Sequence, residues 1–558
     1  LVAFRMGFKS ENIYDADKRI WSGLPDREYF SKDQSIGEII FREMQRHPKL
    51  VAQVSISHPS ISKHRIIRIQ ISDTENTTLT REELLLNSMK IASFMRKMGM
   101  VQSDIVGIIA RNTTHIFAVA YACFFNGIAF HSLNIAYEES TIGKLFDITK
   151  PRIIFCDGEE YEKVKAATAS QNVMIVTMRN HHKDSISIDE VLTTAVVDNF
   201  KPARLEQGIN QTLAILCSSG TTGTPKAVTI SNSQKTFNFS SLTTEDVQYT
   251  HSSLDWVTGL LTTVTSGIYS TKRIIADNLF DPARLLSVIE KYKITWLLQA
   301  PSHLAMVANC KEFDQSNLNS IRCYMYGGGR CSIESQNLIR SRLQSDCLHL
   351  AYGFTEIGTM LSLNRNFDEK PNSVGRIECG FKVKIINEQN ECLGPNEVGE
   401  ICVFSGQHWS GYFGNPEETN KILDSERWFH SGDLGYIDDD GFIYVIERKK
   451  DMLKYQNIMY YPNEIEQIIS QMDDVAEVCV FGVWNQFNGD EAAAAVVKKP
   501  GSQIHAQDVV DFVKLHTDAK YKQLHGGAVI VDELVRSANG KTNRLGTKAY
   551  FLDIKDRN

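Results

Sequence analysis

The residues best suited to chemistry lie between positions 218 and 226, where hydroxyl side chains alternate with glycines. The segment reads Ser-Ser-Gly-Thr-Thr-Gly-Thr-Pro-Lys and directly follows the apolar run Leu213–Cys217. Glycines let backbone N–H groups approach an anion closely, and hydroxyls add further donors. The segment is not a Walker A loop, because it contains no Gly-Lys-Ser/Thr. We predict a phosphate-binding loop that uses Ser218, Ser219, Gly220, Thr221, Thr222, Gly223 and Lys226.

A second group of candidate residues forms the segment Tyr-Gly-Phe-Thr-Glu at positions 352–356. Tyr352 offers an aromatic face to a base, and Thr355 offers a hydroxyl to a phosphate. Glu356 supplies a hard oxygen ligand of the kind that Mg²⁺ prefers. Upstream, a triple glycine at 327–329 would let a flat ring lie against bare backbone, although such a triplet alone is more typical of a turn.

Taken in order, these segments resemble the motifs of the adenylate-forming superfamily, which includes acyl-CoA synthetases, 4-coumarate ligase-like enzymes, beetle luciferases and peptide-synthetase adenylation domains. Three later segments extend the resemblance: Trp-Phe-His-Ser-Gly-Asp at 428–433, Arg-Lys-Lys-Asp at 448–451 and Gly-Lys at 540–541. The resemblance spans about residues 35 to 550, and it favours the luciferase and acyl-CoA ligase branch of the superfamily.

The resemblance implies a role for each matching residue in nucleotide binding. Gly328, Gly329, Tyr352 and Gly353 would contact adenine. Asp433 would accept the ribose hydroxyls, because a carboxylate can accept two hydrogen bonds from neighbouring donors. Arg448 would contact ribose or phosphate. ATP, Mg²⁺ and coenzyme A are the expected cofactors and co-substrates.

The resemblance also implies catalytic and hinge residues. Lys541 would stabilise the negative charge that grows when a carboxylate attacks the α-phosphate of ATP. Lys450 would be the hinge of a mobile domain, and Lys454 would serve the transfer of the acyl group to CoA. Thr355 and Glu356 complete the catalytic set, and Glu356 is the predicted metal ligand. The acid pocket is expected to include Trp256, Gly259, Tyr326 and Thr359.

The elements that must position these residues can be read from the pattern of apolar runs. Strand-length runs such as Ile105–Ala110, Arg152–Cys156 and Val173–Met178 alternate with helix-like stretches such as Arg81–Met98 and Pro282–Lys293. This alternation predicts an α/β fold. After about residue 380 the pattern becomes β-rich, and a small α+β unit closes the chain.

Pattern and resemblance together predict a large N-terminal region with two α/β subdomains and a β-rich subdomain, followed by a small mobile α+β C-terminal domain. The expected bounds are residues 1–447 for the N-terminal ATP- and acid-binding domain, 448–450 for the hinge and 451–558 for the C-terminal mobile domain.

Composition bounds the function classes. The chain has 558 residues, a net charge of -7 and scattered basic residues, which argues against a nucleic-acid partner. The longest apolar run, 116–125, is too short for a membrane span and predicts a buried helix. Eleven cysteines without metal or disulfide spacing indicate a reducing compartment. An intracellular location, cytoplasmic or peroxisomal, is expected, although no Ser-Lys-Leu tag ends the sequence.

The sequence departs from the family pattern at several positions. Ala227 and Asn232 replace a Gly and a His, and the segment around Trp256 lacks the His that many relatives carry. Asn457 replaces a Gly that lines the pantetheine tunnel in acyl-CoA ligases. We expect an ATP- and Mg²⁺-dependent acid–thiol ligase that acts on a medium- or long-chain fatty acid or an arylpropenoic acid. A luciferase-like oxygenase and a catalytically impaired relative are the alternatives.

Overall fold

The computed structural model describes residues 12–25, 34–56, 77–218, 225–233, 242–277, 280–329, 331–456, 458–536 and 541–557. These residues form four β-sheets with helices packed against them. Two sheets are mainly parallel, one is antiparallel, and the fourth belongs to a small C-terminal domain. The expected α/β fold with a β-rich subdomain and an α+β C-terminal domain is confirmed.

The first sheet has seven strands, of which the outermost is antiparallel to its neighbour and the others are parallel. Their spatial order is Lys226–Ser231, Thr212–Ser218, Ala129–Ser132, Ile105–Ile109, Ile153–Cys156, Met174–Thr177 and Ile186–Ser187.

The second sheet has nine strands with a parallel centre and antiparallel strands at both edges. Their spatial order is Arg376–Ile377, Thr359–Asn364, Leu348–Phe354, Cys323–Gly327, Trp296–Gln299, Val247–Thr250, Lys272–Ala276, Val51–Ile56 and Thr78–Thr80.

The third sheet is antiparallel and recruits two strands from the start of the chain. Its order is Ile13–Asp15, Ile20–Ser22, Lys382–Ile386, Gly399–Phe404, Phe429–Ile437 and Ile443–Arg448. The β-rich texture after residue 380 predicts the later four strands. The N-terminal pair carries no comparable pattern, because its strands are only three residues long.

The C-terminal sheet begins five residues after the third sheet ends. It contains Ile458–Tyr460, Leu453–Tyr455, Gly489–Lys498 and Val475–Asn485 in antiparallel order, and Gly527–Val531 runs parallel to Gly489–Lys498. A single 3₁₀ turn, Lys449–Asp451, connects the two sheets. The domain bounds and the hinge therefore stay predictions, placed at a point where the chain leaves one sheet and enters another.

Helices cover the sheets and fill the space between them. They are Ile36–Arg46, Arg81–Lys97, Ile116–Asn126, Glu139–Thr149, Tyr161–Ala167, Ile188–Val191, Val257–Ile268, Pro282–Tyr292, Pro301–Ala308, Ile333–Arg342, Pro416–Ile422, Pro462–Ile469, Ala506–His516 and Arg544–Arg557.

Local sequence explains where several helices begin and end. Thr80 and Glu83 form a reciprocal capping box at the start of Arg81–Lys97. Asp281 caps the helix that Pro282 opens. The helix Ile116–Asn126 is buried on every face and stops at Gly127, whose φ is 65°. The buried helix expected from its apolar run is thus present. No helix in the described ranges is long and apolar enough to cross a bilayer.

The largest hydrophobic cluster joins the two parallel sheets to the antiparallel sheet. A second cluster lies under the helices that cover the nine-stranded sheet. No disulfide joins the eleven cysteines, all of which lie in the described residues. Strands of both parallel sheets end on the same cleft, since Ser218, Gly327 and Phe354 are the last residues of theirs. Crevices at the carboxyl ends of parallel strands are where α/β proteins usually bind ligands.

Candidate active site

The predicted phosphate loop starts and ends on paired strands. Ser218 closes one strand, Lys226 opens the next, and the two residues are register partners. Ser219, Gly220, Thr221, Thr222 and Gly223 lie outside the described residues, so their part in the loop stays a prediction. The pairing of Ser218 with Lys226 nevertheless fixes both ends of the segment at the edge of the cleft.

Lys226 is held by an acidic residue that the sequence did not single out. Its Nζ lies 2.5 Å from Oε2 of Glu418 and 4.8 Å from the ring centroid of Tyr412. Hydrogen bonds from Lys226 and then Lys421 lower the pKa of the Glu418 carboxyl to about 2. The Lys226 ammonium therefore has a permanently charged partner, which keeps it at the base of the phosphate loop.

Thr355 and Glu356 lie on a 3₁₀ turn that directly follows the strand Leu348–Phe354. The hydroxyl of Tyr412 donates a hydrogen bond of 2.8 Å to Oε1 of Glu356. Burial, and then the charge of Glu356, raises the pKa of Tyr412, so the phenol keeps its proton and acts as the donor. One carboxylate oxygen of Glu356 is thereby fixed in place.

Asp433 occupies the centre of a second cluster. Its Oδ2 accepts a hydrogen bond of 2.7 Å from the Tyr352 hydroxyl, and its Oδ1 lies 3.0 Å from Nε of Arg448. Asp433 and Arg448 are also register partners on neighbouring strands. Burial raises the pKa of Asp433, while the charge of Arg448 and the Tyr352 hydrogen bond oppose that rise. The structure therefore brings together three residues for which the sequence predicted nucleotide contacts.

Lys541 is the residue of the C-terminal domain that reaches into the cleft, where it lies beside Gly328. A β-carbon at Gly328 would lie 2.7 Å from Cε and 2.9 Å from Nζ of Lys541. The lysine is accessible to water, yet protein atoms surround it closely because it reaches deep into an open cleft. This crowding, and then the charge of Arg448, lowers the pKa of Lys541 to about 8, against the attraction of Asp433 and Glu356.

The glycines of the predicted adenine site differ in how much space lies where a β-carbon would be. Gly328 has a φ of 93° and leaves room that Lys541 occupies. Gly329 is more open, since a β-carbon there would lie 3.6 Å from Pro301. Gly353 is required by packing, because a β-carbon would lie 2.3 Å from the carbonyl oxygen of Thr359. Gly328 and Gly329 therefore have room or a movable side chain where a β-carbon would lie, whereas Gly353, although exposed, meets backbone there.

The four predicted acid-pocket residues fall into different environments. Trp256 is half-buried and immediately precedes the helix Val257–Ile268. Thr359 is half-buried at the start of its strand. Gly259 packs against backbone, since a β-carbon would lie 1.9 Å from the carbonyl oxygen of Ser253. Tyr326 has no exposed surface and lies in the hydrophobic cluster under the outer helices.

These placements correct two pocket assignments. Tyr326 and Gly327 are neighbours on one strand, but successive side chains point to opposite faces of a sheet. The Tyr326 ring consequently faces the helix-covered layer, and Gly259 serves a close backbone contact. Trp256 and Thr359 keep their predicted pocket roles as proposals.

The residue predicted for the second step and the predicted hinge follow this cluster in the chain. Lys454 is exposed on the strand Leu453–Tyr455, and its backbone N–H donates to Asp490 at 3.1 Å. Lys450 is exposed in the connecting 3₁₀ turn, where partial loss of hydration lowers its pKa. Asn457 and Gly540 lie outside the described residues. The conformation thus inserts Lys541 and leaves Lys454 outside the cleft.

The side chains of the cleft limit how a metal ion could bind there. Within the described ranges, no cluster of three or more His, Cys, Asp or Glu side chains could hold an ion. Glu356 supplies a single carboxylate beside Lys226 and Tyr412. One carboxylate together with substrate phosphates is a common way of binding Mg²⁺. The residues present therefore fit a magnesium ion that arrives with a nucleotide rather than a resident metal.

The sequence alone indicates no role for two residues of this site, Tyr412 and Glu418. Tyr412 lies in the segment Ser-Gly-Tyr at 410–412, whose residue types alone indicate no role. Glu418 looks like an ordinary first-turn acidic residue of the helix Pro416–Ile422. Their function depends on a β-bridge between Val228 and Tyr412, which joins segments far apart in the chain. No local pattern could reveal it.

Comparison with known proteins identifies the family of the chain. The sequence model of the AMP-binding enzyme family matches residues 44–413, which is most of the chain. The chain belongs to the family of AMP-binding enzymes. The model of the AMP-binding enzyme C-terminal domain matches residues 464–541. This places the chain in the adenylate-forming superfamily that its motifs resemble.

Individual relatives of this AMP-binding enzyme are distant but of similar length. Luciferin 4-monooxygenase of Photinus pyralis is 24% identical over 94% of this chain and 96% of its own. 4-Coumarate–CoA ligase 1 of Petroselinum crispum is 25% identical over 86% and 90%. The crystal structure of ATP-bound MatB from Rhodopseudomonas palustris shares the fold, with a TM-score of 0.78, 21% identity and coverage of 93% and 100%.

Proposed function

We propose that this AMP-binding enzyme activates a carboxylic acid with ATP and then transfers the acyl group to coenzyme A. In the first step, a carboxylate oxygen bonds to the α-phosphorus of ATP, and the bond from that phosphorus to pyrophosphate breaks. In the second step, the CoA sulfur bonds to the acyl carbon, and AMP leaves. The thiol proton passes to solvent.

The observation that carries the proposal is the insertion of Lys541 between the two clusters of the cleft. The ammonium is electrostatically coupled to Asp433, Glu356 and Arg448. A fixed cation in this position stabilises charge that grows on the attacking and departing oxygens more than it stabilises the ground state. Lys226 would add a second cation at the phosphate loop.

The binding roles follow from the hydrogen-bond geometry. Asp433, held by Tyr352 and Arg448, would accept the ribose hydroxyls, and Gly328 and Gly329 would face the adenine. Glu356, oriented by Tyr412, would hold Mg²⁺ on the phosphates, and the ion would neutralise phosphate charge.

For the second step, we propose that the C-terminal domain rotates about Lys450. Rotation would withdraw Lys541 and bring the exposed Lys454 to the cleft, so that one cleft serves two reactions. The 3₁₀ turn at 449–451 is a short connection between two sheets, which suits a hinge because few residues there must change their backbone angles.

The acid is proposed to be a medium- or long-chain fatty acid or an arylpropenoic acid. The 4-coumarate–CoA ligase relative supports the aryl class, and the half-buried Trp256 would provide an aromatic wall for either acid. The luciferin 4-monooxygenase relative, which aligns over nearly the whole chain, keeps a luciferase-like oxygenase as the second candidate.

A panel of fatty and arylpropenoic acids tests these proposals with ATP and Mg²⁺. Pyrophosphate release measures the first step, and thioester formation with and without CoA measures the second. Pyrophosphate without any thioester would exclude the ligase and retain adenylation; light or oxygen consumption would then favour the oxygenase. No pyrophosphate with any acid, despite measurable ATP binding, would contradict adenylation and favour a catalytically impaired relative.

Lys541→Ala separates the two steps. We expect pyrophosphate release to fall by about 10²-fold or more, which is typical of losing one transition-state charge contact. Thioester formation from a supplied acyl-adenylate should be retained. Lys548→Ala, which changes a lysine on the following helix, is the matched control and should leave both steps unchanged. Equal loss of both steps in Lys541→Ala would contradict the role of Lys541.

A further inference from the structure

A small cavity lies between the helices Arg81–Lys97, Ile116–Asn126 and Val257–Ile268, away from the candidate active site. Its lining includes two arginines, Arg81 and Arg273, together with Gln53 and Tyr121. The space holds about one guest of the size of a water molecule or a monatomic anion.

Both arginines are buried without a carboxylate partner. Arg81 is 1% exposed and Arg273 is 3% exposed. In the described part of the chain, neither guanidinium forms a salt bridge with Asp or Glu. Charged side chains are rarely buried to this extent unless they are paired.

Neutral groups satisfy only part of the hydrogen-bonding capacity. Arg81 donates to the carbonyl oxygens of Ser266 at 3.1 Å and Thr271 at 3.4 Å. Arg273 donates to Oγ1 of Thr263 at 2.8 Å and lies 3.9 Å above the ring of Phe117. These bonds and the negative end of the helix Val257–Ile268 offset part of the positive charge.

Two polar atoms at this site lack partners among the described residues. Nε of Arg81 has no hydrogen-bond acceptor, and Oε1 of Gln53 has no donor. Both side chains are about 1% exposed and line the cavity. An unsatisfied buried N–H typically costs 1–3 kcal/mol, more when it is charged.

The nearest acidic group is already engaged. Glu43 is 8% exposed, and its Oε1 lies 3.0 Å from Nη1 of Arg46 and 3.5 Å from Nε of Arg42. Its charge reaches Arg81 only through space. Burial lowers the pKa of Arg81 to about 10 and that of Arg273 to about 9, so both stay protonated at neutral pH.

We propose that this cavity binds one small inorganic anion, with chloride as the probe. The anion would accept from Nε of Arg81 and from Arg273, and it would neutralise charge that no side chain matches. A water molecule could donate to Oε1 of Gln53 and accept from Nε of Arg81, but it would leave two like charges uncompensated in the interior. The charge of the two arginines, rather than the hydrogen-bonding set, therefore favours an anion over water.

The site would stabilise a helix that matters for the cleft. Arg81 holds the carbonyl groups at the end of Val257–Ile268, and Trp256 of the proposed acid pocket precedes the first residue of the same helix. The tests of anion binding measure thermal stability and electron density. Their results therefore do not depend on the proposed enzymatic activity.

Thermal unfolding provides the first test. At constant ionic strength, replacing gluconate by chloride should raise the Tm in a saturable way, by about 2 °C, because gluconate is too large for the cavity. Arg273→Met should abolish the chloride dependence. The control is Arg179→Met, which removes a buried arginine that is paired with Asp157 and Asp277. That variant should keep the chloride dependence.

Two results would overturn the proposal at this stage. One is an identical Tm in chloride and gluconate. The other is loss of the chloride effect in Arg179→Met as well, which would indicate a general salt effect.

Bromide provides the second test. It uses the wild-type chain, so it does not depend on whether a variant folds. Crystals of the wild-type chain grown or soaked in bromide should show an anomalous peak between the two guanidinium groups. Density for a water molecule without anomalous signal at that position would overturn the proposal.

Discussion

At the scale of single residues, the protonation states in the candidate site depend on the balance between burial and the charges of neighbouring groups. Lys541 loses solvation in the cleft and faces Arg448, whereas Asp433 and Glu356 attract its proton. The balance lowers its pKa to about 8, within reach of an ordinary pH profile. Tyr352 and Tyr412 experience the opposite effect, since burial raises the pKa of each phenol and keeps it a donor.

The first prediction concerns the pH dependence of adenylation. The ammonium form of Lys541 is the active form, so kcat/KM for pyrophosphate release should fall as pH rises through about 8. Bound ATP adds negative charge and should move the inflection in kcat to higher pH. Lys541→Arg stays charged up to about pH 12, so this variant should react more slowly but lose the alkaline limb of the pH profile. An unchanged limb in that variant would assign it to another group.

A second prediction concerns the hydrogen bond from Tyr412 to Glu356. Tyr412→Phe removes the donor that orients the carboxylate, so we expect KM for Mg-ATP to rise by roughly 3- to 10-fold, in line with the net contribution of one typical hydrogen bond. The matched control is Tyr444→Phe, which removes a hydrogen bond of 3.2 Å to Asp438. If both variants behave alike, the effect reflects packing rather than orientation of Glu356.

At the scale of elements, the sequence located several strands and helices because their causes are local. Apolar runs predict the strands at 105, 153 and 174 to within about a residue, and the caps at Thr80 and Asp281 mark helix starts. The pairing of the N-terminal hairpin with Lys382–Ile386 has no local cause. It depends on the burial of Trp21 against a strand some 360 positions later.

The residues of the candidate site fall into the same two groups: those with a local sequence signal, and those placed only by tertiary packing. Motif residues such as Asp433 and Tyr352 were predicted because their segments are distinctive. Glu418 was not, since its contact with Lys226 is created by tertiary packing. Tyr326 was predicted for the pocket from its position in the chain, whereas the two-residue period of the strand Cys323–Gly327 places its ring on the face covered by helices.

A third prediction concerns the turn that follows that strand. Gly328→Ala would place a methyl group 2.7 Å from Cε of Lys541, so the lysine must withdraw. We expect adenylation to fall by about tenfold or more, with transfer from a supplied adenylate less affected. Gly99→Ala is the control, because Gly99 has a φ of 67° and nothing near its β-carbon position. It should lower stability by about 1 kcal/mol without a loss of activity.

At the scale of the whole molecule, two ion pairs among the described residues join the C-terminal part of the chain to the N-terminal part. Nζ of Lys499 lies 3.3 Å from Oε2 of Glu334 on the N-terminal side. Arg544 pairs with Glu447 at 3.5 Å, close to the connecting turn. A pair as exposed as that of Lys499 and Glu334 contributes about 0–1 kcal/mol, so it does not lock one orientation of the small domain. A weak pair at this place suits the proposed rotation of that domain.

The last prediction tests whether the pair between Lys499 and Glu334 favours the orientation that inserts Lys541. Glu334→Lys should slow pyrophosphate release by about 2- to 3-fold at low salt, because like charges then face each other, and added salt should reduce the effect. Adding Lys499→Glu should restore the rate. Thioester formation from a supplied adenylate should not fall, since the pair would be broken in that step.

Glu82→Lys is the matched control, because Glu82 pairs with Lys49 at 3.1 Å on the surface of the N-terminal part. It should leave both steps unchanged. If Glu334→Lys slowed both steps equally, or if the charge swap failed to rescue the first, the pair would have no part in choosing the orientation. A selective loss that the swap repairs would show that the surface of the small domain, as well as its lysine, is set for the first step.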